Sequence, residues 1–215
     1  MSDFVGKIFD AVIVLGVILI SMTLHELMHG FVAYKLGDDT AKNEGRLTLN
    51  PFKHLDLVYS IIIPLVMVLT GGAVFGGAKP VPVNSQNLKG KEWGMALVAL
   101  AGPLTNIVLA LLGFIVLEVI RPSFGEVFDT IMINFIYVNL GFTVFNMIPI
   151  PPLDGSRLLY AIAPDKVREL MMGIESSLGV WLIYGLLFVF GGIFSAIING
   201  GIQGIIDFFY WIIGQ

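Results

Sequence analysis

The chain has 215 residues, of which 12 are Lys or Arg and 16 are Asp or Glu, so only 13% of its residues carry charge. That is about half the charged share of an ordinary soluble domain, and with 56% hydrophobic residues and a mean hydropathy of +0.88 the chain lacks the polar material that a water-facing surface requires. A soluble globular protein is therefore excluded. The sequence has no cysteine, which excludes disulfides, thiolate metal sites and a cysteine nucleophile. A net charge of −4 without a basic tract excludes nucleic-acid binding.

Stretches without charged residues predict five membrane segments, because about 20 apolar residues are needed to cross the hydrocarbon core. The segments are 8–34, 57–78, 93–117, 130–153 and 176–206. The first is interrupted by Asp10 and Glu26 and has no small-residue cleavage pattern, so we expect a retained helix rather than a signal peptide. The sequence thus predicts an all-α polytopic membrane protein with about four to six membrane segments.

Two connecting regions predict extended backbone. Residues 45–49 alternate in polarity before Asn50-Pro51, which indicates a short β element at the membrane edge. Two Gly-Gly pairs precede the proline-rich stretch 79–84, where helix is excluded and the backbone must pack on protein or line a wet cavity. Between these regions lies His54, for which hydrogen bonding is favoured over a metal role.

The first predicted helix contains His25-Glu26-Leu27-Met28-His29, with the spacing His-Glu-x-x-His. Residues i and i+4 share one helical face, with Cβ atoms about 5–6 Å apart, which suits two imidazole ligands on one zinc ion. Glu26 lies next to the first ligand, where a carboxylate is able to take a proton from an attacking water. Five-residue patterns also arise by chance, but ionisable residues inside a membrane helix are costly and indicate function by default.

A second motif, 146–155, has the sequence Asn-Met-Ile-Pro-Ile-Pro-Pro-Leu-Asp-Gly. Three prolines in four residues do not fit a regular helix interior, so the fourth segment should unwind there and present Asp154 as an oxygen ligand. Taken alone, Pro-Pro-x-Asp-Gly is also typical of an ordinary turn that ends a helix. Together the two motifs supply two nitrogens, one oxygen and an open position, which is the pattern of catalytic rather than structural zinc.

These motifs resemble the site-2 protease family of intramembrane zinc metalloproteases. The resemblance rests on His-Glu-x-x-His in one membrane segment, Gly102-Pro103-Leu104-Thr105-Asn106 in another and the 146–155 motif at the end of a third, in the family's order. It extends through 36–38, 45–54 and 78–84, which are similar to the compact prokaryotic branch, and covers about residues 20 to 160. We expect the chain to lack the PDZ and CBS modules that other members carry.

The resemblance implies that His25, His29 and Asp154 bind one zinc ion and that Glu26 is the general base. It also implies polar groups beside the site, Asn146 and Asn106; we take Asn146 as a second catalytic residue that holds an oxyanion or the backbone. A single domain, 1–215, is expected, with a catalytic core at about 8–160 and C-terminal helices at 165–215.

The substrate must be unwound, because a helix hides its carbonyls from attack. Residues 45–49, or the Val81-Pro82-Val83 segment, could pair with an extended substrate by strand addition. Asn106, Val81 and Val83 are therefore the candidate substrate contacts. That these segments only cap the protein surface is an equally good interpretation.

A parity argument constrains the topology. If the three ligands meet at one zinc ion, His29 and Asp154 lie at one membrane face, so 57–78 must be re-entrant or a hairpin rather than a full crossing. The loops on that face then hold ten of the twelve basic residues, namely Lys35, Lys42, Arg46, Lys53, Lys79, Lys89, Lys91, Arg157, Lys166 and Arg168. By the positive-inside rule this face, with the zinc site, is cytoplasmic.

The sequence therefore predicts an enzyme, an intramembrane zinc metalloendopeptidase that acts in regulated intramembrane proteolysis in a cell membrane, of prokaryotic origin. Expected partners are the lipid bilayer and a single-pass transmembrane substrate, such as an anti-sigma factor, a membrane-tethered transcription factor or a signal-peptide remnant, which are typical of the resembled family. Two alternatives are a metal transporter or channel and a catalytically inactive scaffold. Glu26 argues against the first, because a transport site needs no general base, and the filled catalytic positions argue against the second.

Overall fold

The architecture is a helical bundle. The computed structural model describes residues 2–63, 65–66, 78–120 and 124–214. Within these ranges the α-helices are α1 (Ser2–Lys35), α2 (Thr40–Asn43), α3 (Lys91–Phe114), α4 (Glu126–Asn146), α5 (Gly155–Ile162), α6 (Asp165–Leu178) and α7 (Val180–Ile213). Short 3₁₀ turns lie at Pro51–Lys53 and Ser85–Asn87, and π-helical turns at Leu57–Ile62 and Ile115–Ile120, the second of which continues α3.

Four helical stretches of the described chain are long and apolar enough to cross a membrane. They are Gly6–Lys35, Lys91–Ile120, Glu126–Asn146 and Val180–Ile213. The prediction of an all-α polytopic membrane protein is confirmed.

Helix α3 lies at the centre of the bundle. It packs against both α1 and α4, which also contact each other, and α7 packs against α4. Small residues on α3 permit this close approach, since a Cβ added at Gly113 would lie 3.1 Å from Cδ1 of Phe135 on α4. One apolar cluster joins α3, α4 and α7 through Ala110, Phe114, Ile136, Leu140, Ile202 and Phe209. Ala110 and Phe114 lie in the last turns of α3, so the cluster packs this end of the helix, and α3 begins at the other end of the bundle.

The end of α1 and the start of α3 meet at that other end. The N–H of Lys89 donates to the carbonyl of Leu36 at 2.9 Å. The buried carboxylate of Asp38 accepts from the N–H of Asn84 at 2.6 Å and from Nδ2 of Asn87 at 3.0 Å. The intervening chain therefore returns to the end of the bundle from which it departs, as the parity argument requires. Residues 64 and 67–77 of the predicted re-entrant segment lie outside the described part of the chain, so re-entry itself stays a prediction.

The predicted β element at 45–49 is wrong. Residues 45–49 form a turn and bends, and the described ranges contain no strand. Gly45 opens the turn at φ +64, and the N–H of Arg46 bonds locally to the carbonyl of Ala41 at 2.8 Å. Residues 79–84 form neither helix nor strand. The N–H groups of Val81 and Asn84 donate to the carboxylates of Glu26 and Asp38, and that of Lys79 donates to the carbonyl of His54, so none of these three donates to a partner strand. A strand ladder with residues 45–49 would need these three donors, which already have other partners.

Helix α4 ends at Asn146, before the prolines, which agrees with the predicted unwinding of the fourth segment. One helix boundary differs from the prediction, because the last segment does not begin at residue 176. Gly179, at φ +51, separates α6 from α7, and α7 then runs to Ile213 with a kink at Phe190.

Candidate metal centre

The Nε2 atoms of the two histidines on the first helix lie close together. Their spacing on α1 places the Nε2 atoms of His25 and His29 3.0 Å apart, with the rings nearly perpendicular. Both side chains are buried, at 7% and 8% exposure. Helix α1 therefore delivers two imidazole nitrogens to one point inside the bundle.

Asp154 completes the group from the irregular turn after α4. Its Oδ2 lies 3.2 Å from Nε2 of His25 and 3.4 Å from Nε2 of His29. The turn is tight because residue 155 is glycine; a Cβ there would collide with the carbonyl of Met147. The chain thus folds back so that the carboxylate points at the histidine pair, as the prolines predicted.

The three converging atoms are all hydrogen-bond acceptors. Nδ1 of His29 donates to the carbonyl oxygen of Val98 at 2.7 Å, and since a carbonyl only accepts, the neutral ring presents a lone pair at Nε2. Oδ2 of Asp154 is buried and has no hydrogen-bond donor. Such a cluster requires a cation, either a proton or a metal ion.

The separations fit one zinc ion. Zinc–nitrogen bonds of about 2.0–2.1 Å in a tetrahedron put neighbouring ligand atoms about 3.3 Å apart, and the three observed separations are 3.0, 3.2 and 3.4 Å. Gly102 of α3 leaves the necessary room, since a Cβ at this position would lie 2.5 Å from Nε2 of His29. Among the described residues, His25, His29 and Asp154 form the group able to hold a metal ion.

Glu26 lies beside this group and faces the same cavity. Its Oε2 accepts a hydrogen bond from the N–H of Val81 at 2.8 Å. Asn146 also lines the cavity, and its amide Nδ2 donates to the carbonyl of Phe142 at 3.1 Å. The cavity has a volume of about 520 Å³, and Val81 and Val83 form part of its mainly apolar wall.

Asn106 does not line the cavity. It is fully buried behind His25, and its Oδ1 lies 2.5 Å from Nδ1 of that histidine. Its position gives no support to the predicted substrate contact and makes it a partner of a metal ligand instead. His54 also lies outside the metal group; it is buried, and its Nε2 donates to the carbonyl of Thr48 at 2.9 Å.

Sequence reasoning missed several residues of the site. Gly102 entered the sequence analysis only as part of the 102–106 motif, without a role of its own, although it lies against both imidazoles. Asn139 is fully buried and hydrogen-bonded to Asn106, and the signal that could have identified it was an amide side chain inside an apolar segment. Arg157 lines the cavity and pairs with Glu175 of α6.

Comparisons with known proteins agree with this geometry. The sequence profile of Peptidase family M50 matches residues 13–129, which include both histidines. A candidate zinc metalloprotease of Bacillus subtilis (strain 168), YwhC, is 42% identical over 166 residues, covering 74% of this chain and 73% of YwhC. Another protein of that description, Rip2 of Mycolicibacterium smegmatis, is 31% identical over 202 residues, covering 86% of this chain and 76% of Rip2. No solved structure matches the chain.

Proposed function

The chain belongs to peptidase family M50, the site-2 protease family, and we propose that it cleaves membrane-protein substrates within or near their transmembrane segments. It is a zinc-dependent protease and a multi-pass membrane protein. The observation that carries the proposal is the position of the metal group. His25 and His29 lie within a membrane-spanning stretch, and they open onto an apolar cavity.

The cavity matches a hydrophobic substrate. Its wall includes apolar residues from three spanning helices, for example Met22 of α1, Val98 of α3 and Phe145 of α4. The first turns of α7 contribute Ile183 and Leu187. A polar peptide would leave its side chains unpaired against this wall, whereas a transmembrane segment would bury apolar surface there.

The chemistry requires a proton acceptor beside the metal. When bound, zinc supplies a Lewis acid that activates water near neutral pH and polarises a peptide carbonyl. Glu26 takes the proton of the attacking water and returns it to the leaving nitrogen, and the N–H of Val81 orients its carboxylate for this task. Asn146 offers an amide N–H to the oxyanion from the cavity wall.

The substrate binds in an extended form along residues 79–83. These residues are not part of a helix, and Val81 and Val83 line the cavity. Arg46 holds them in place, because its guanidinium donates to the carbonyls of Lys79 at 2.7 Å and Pro80 at 3.2 Å. An unwound substrate exposes the carbonyl that a helix would hide.

The site faces the cytoplasm of a prokaryotic cell. The positive-inside rule supports this orientation, since ten of the twelve basic residues belong to the helix ends and connecting segments assigned to the metal end of the bundle. Single-pass substrates that release a cytoplasmic fragment suit this position. Anti-sigma factors, membrane-tethered transcription factors and signal-peptide remnants are the proposed classes, and regulated intramembrane proteolysis is the proposed process.

Cleavage of a fluorescent single-span substrate in detergent tests the activity. The wild type and the control Glu44→Gln, which alters an exposed carboxylate, should both cleave. Glu26→Gln should keep zinc and lose activity by about 10²–10⁴-fold, the usual contribution of a general base. Asp154→Ala should lose zinc. Activity that survives Glu26→Gln contradicts the assigned role, and zinc binding by a wild type that cleaves no span substrate supports transport instead.

The absence of cysteine from the sequence allows a test of orientation. Gln86→Cys lies at the metal end and Glu126→Cys at the opposite end, and both parent side chains are exposed. A membrane-impermeant maleimide added to intact spheroplasts should label Glu126→Cys alone. Labelling of Gln86→Cys alone would reverse the proposed orientation.

A further inference from the structure

A network of buried side chains, two amides and one hydroxyl, connects three spanning helices to His25. Nδ2 of Asn139, on α4, donates to the carbonyl of Phe135 at 2.8 Å and to Oγ of Ser21, on α1, at 2.9 Å. Oδ1 of Asn139 accepts from Nδ2 of Asn106, on α3, at 2.7 Å. The side chains of Ser21, Asn106 and Asn139 are all fully buried.

The carbonyl of Phe135, at the end of this hydrogen-bond network that is furthest from His25, determines the direction of every hydrogen bond in the network. The carbonyl of Phe135 only accepts, so the NH₂ group of Asn139 must face it and Oδ1 of Asn139 must face Asn106. Asn106 must then turn its NH₂ group towards Asn139 and its Oδ1 towards Nδ1 of His25. An oxygen acceptor at this position requires a proton on Nδ1 of His25, which leaves the lone pair on Nε2.

We propose that Asn139 is a positioning residue that fixes His25 in the Nδ1–H tautomer, the form that presents Nε2 to the metal. The inference deepens the proposed function and rests on it, because the tautomer matters only if Nε2 binds zinc. Without Asn139, Asn106 is able to rotate its amide by half a turn. Its NH₂ group would then face His25 and favour the Nε2–H tautomer, which has no lone pair for the metal.

The other two histidines supply internal references. Nδ1 of His29 donates directly to the carbonyl of Val98, so its tautomer does not depend on an amide. Nε2 of His54 donates to the carbonyl of Thr48, which fixes the opposite tautomer in a histidine outside the metal group. The chain has 3 histidines in all. A histidine-labelled sample therefore contains one signal under test and one reference of each kind.

The first test is ¹⁵N NMR of histidine-labelled protein without metal, at a pH where the imidazoles are neutral. Nitrogen shifts and long-range couplings distinguish the two tautomers. We expect His25 and His29 as Nδ1–H and His54 as Nε2–H. A wild-type His25 in the Nε2–H form overturns the proposal without the need for any variant.

The second test compares matched variants. In Asn139→Leu we expect His25 to shift towards Nε2–H and zinc affinity, measured by chelator competition, to fall by about 10–100-fold, as for other residues that orient metal ligands. The control is Asn134→Leu on the same helix. Nδ2 of Asn134 also donates to a carbonyl four residues earlier, that of Thr130, at 2.8 Å. The Asn134→Leu variant should leave the tautomer of His25 and the affinity for zinc unchanged.

A rescue variant separates positioning from general damage to the fold. A carboxylate at position 106 only accepts, so Asn106→Asp combined with Asn139→Leu should restore the Nδ1–H tautomer and zinc affinity. An unchanged tautomer in Asn139→Leu, or a double variant as weak as the single, contradicts the proposal. Neither the tautomer nor the zinc affinity depends on a substrate. A wild type that fails to cleave would therefore contradict the proposed function, whereas these two measurements would still decide the role of Asn139.

Discussion

Gly102→Ala adds one methyl group and should disable the metal centre without removing a ligand. The new Cβ would lie 2.5 Å from both Cε1 of His25 and Nε2 of His29. That is about 1 Å inside the optimal separation of about 3.5 Å for such atoms. Metal–ligand distances tolerate only about 0.2 Å, so the ligands must move several times further than the metal allows. We expect zinc affinity and cleavage to fall by about 100-fold, the scale of a 1 Å misplacement.

Chelator competition and cleavage of a single-span substrate measure this effect. Gly141→Ala on α4 is the matched control, because a Cβ there meets nothing within 4 Å. Alanine in a helix interior is favoured over glycine by about 1 kcal/mol, so the control should bind zinc normally and unfold no more easily than the wild type. If Gly102→Ala binds zinc as tightly as Gly141→Ala, the metal does not sit against α3 and the geometry argued above is wrong.

Three further changes test the supports of the site. Burial acts to raise the pKa of Asp38, but four hydrogen bonds outweigh it and hold that pKa below its ordinary value. Asp38→Ala should therefore lower the free energy of unfolding by about 1–3 kcal/mol at neutral pH. Denaturant titrations at several pH values should show the full loss above the pKa that Asp38 has in the unfolded chain. The loss should disappear as the pH falls through the lower pKa that Asp38 has in the folded protein. Gly155→Ala should clash with the carbonyl of Met147 and weaken zinc affinity in chelator competition, whereas an unchanged affinity would contradict the tight turn. Arg46→Ala should release residues 79–83 and lower cleavage while zinc content stays normal; loss of zinc would contradict a role confined to the segment beside Glu26.

The convergence of His25, His29 and Asp154 could be predicted from the sequence, because the cause of each position is local. His25 and His29 are one helical turn apart, so their common face follows from helix periodicity alone. Asp154 follows three prolines that force the backbone out of a helix. In both cases the physical cause lies within ten residues of the ligand.

The remainder depends on contacts between distant residues. Asn139 pairs with Asn106, 33 residues away, and with Ser21, 118 residues away, and no local pattern specifies either partner. The predicted strand at 45–49 failed for the same reason. Whether an alternating stretch forms a ladder depends on which N–H groups of another segment are available to it. The N–H groups of Val81 and Asn84 donate to Glu26 and Asp38 instead.

Zinc-dependent cleavage by the wild type tests the central claim most directly. Purified protein should carry about one zinc ion per chain and cut a single-span substrate within or near its span, with the bond mapped by mass spectrometry. Activity should disappear when the chelator removes zinc and return when zinc is restored. Cleavage that persists in metal-free protein, or zinc-loaded protein that cuts only soluble peptides, would contradict the account.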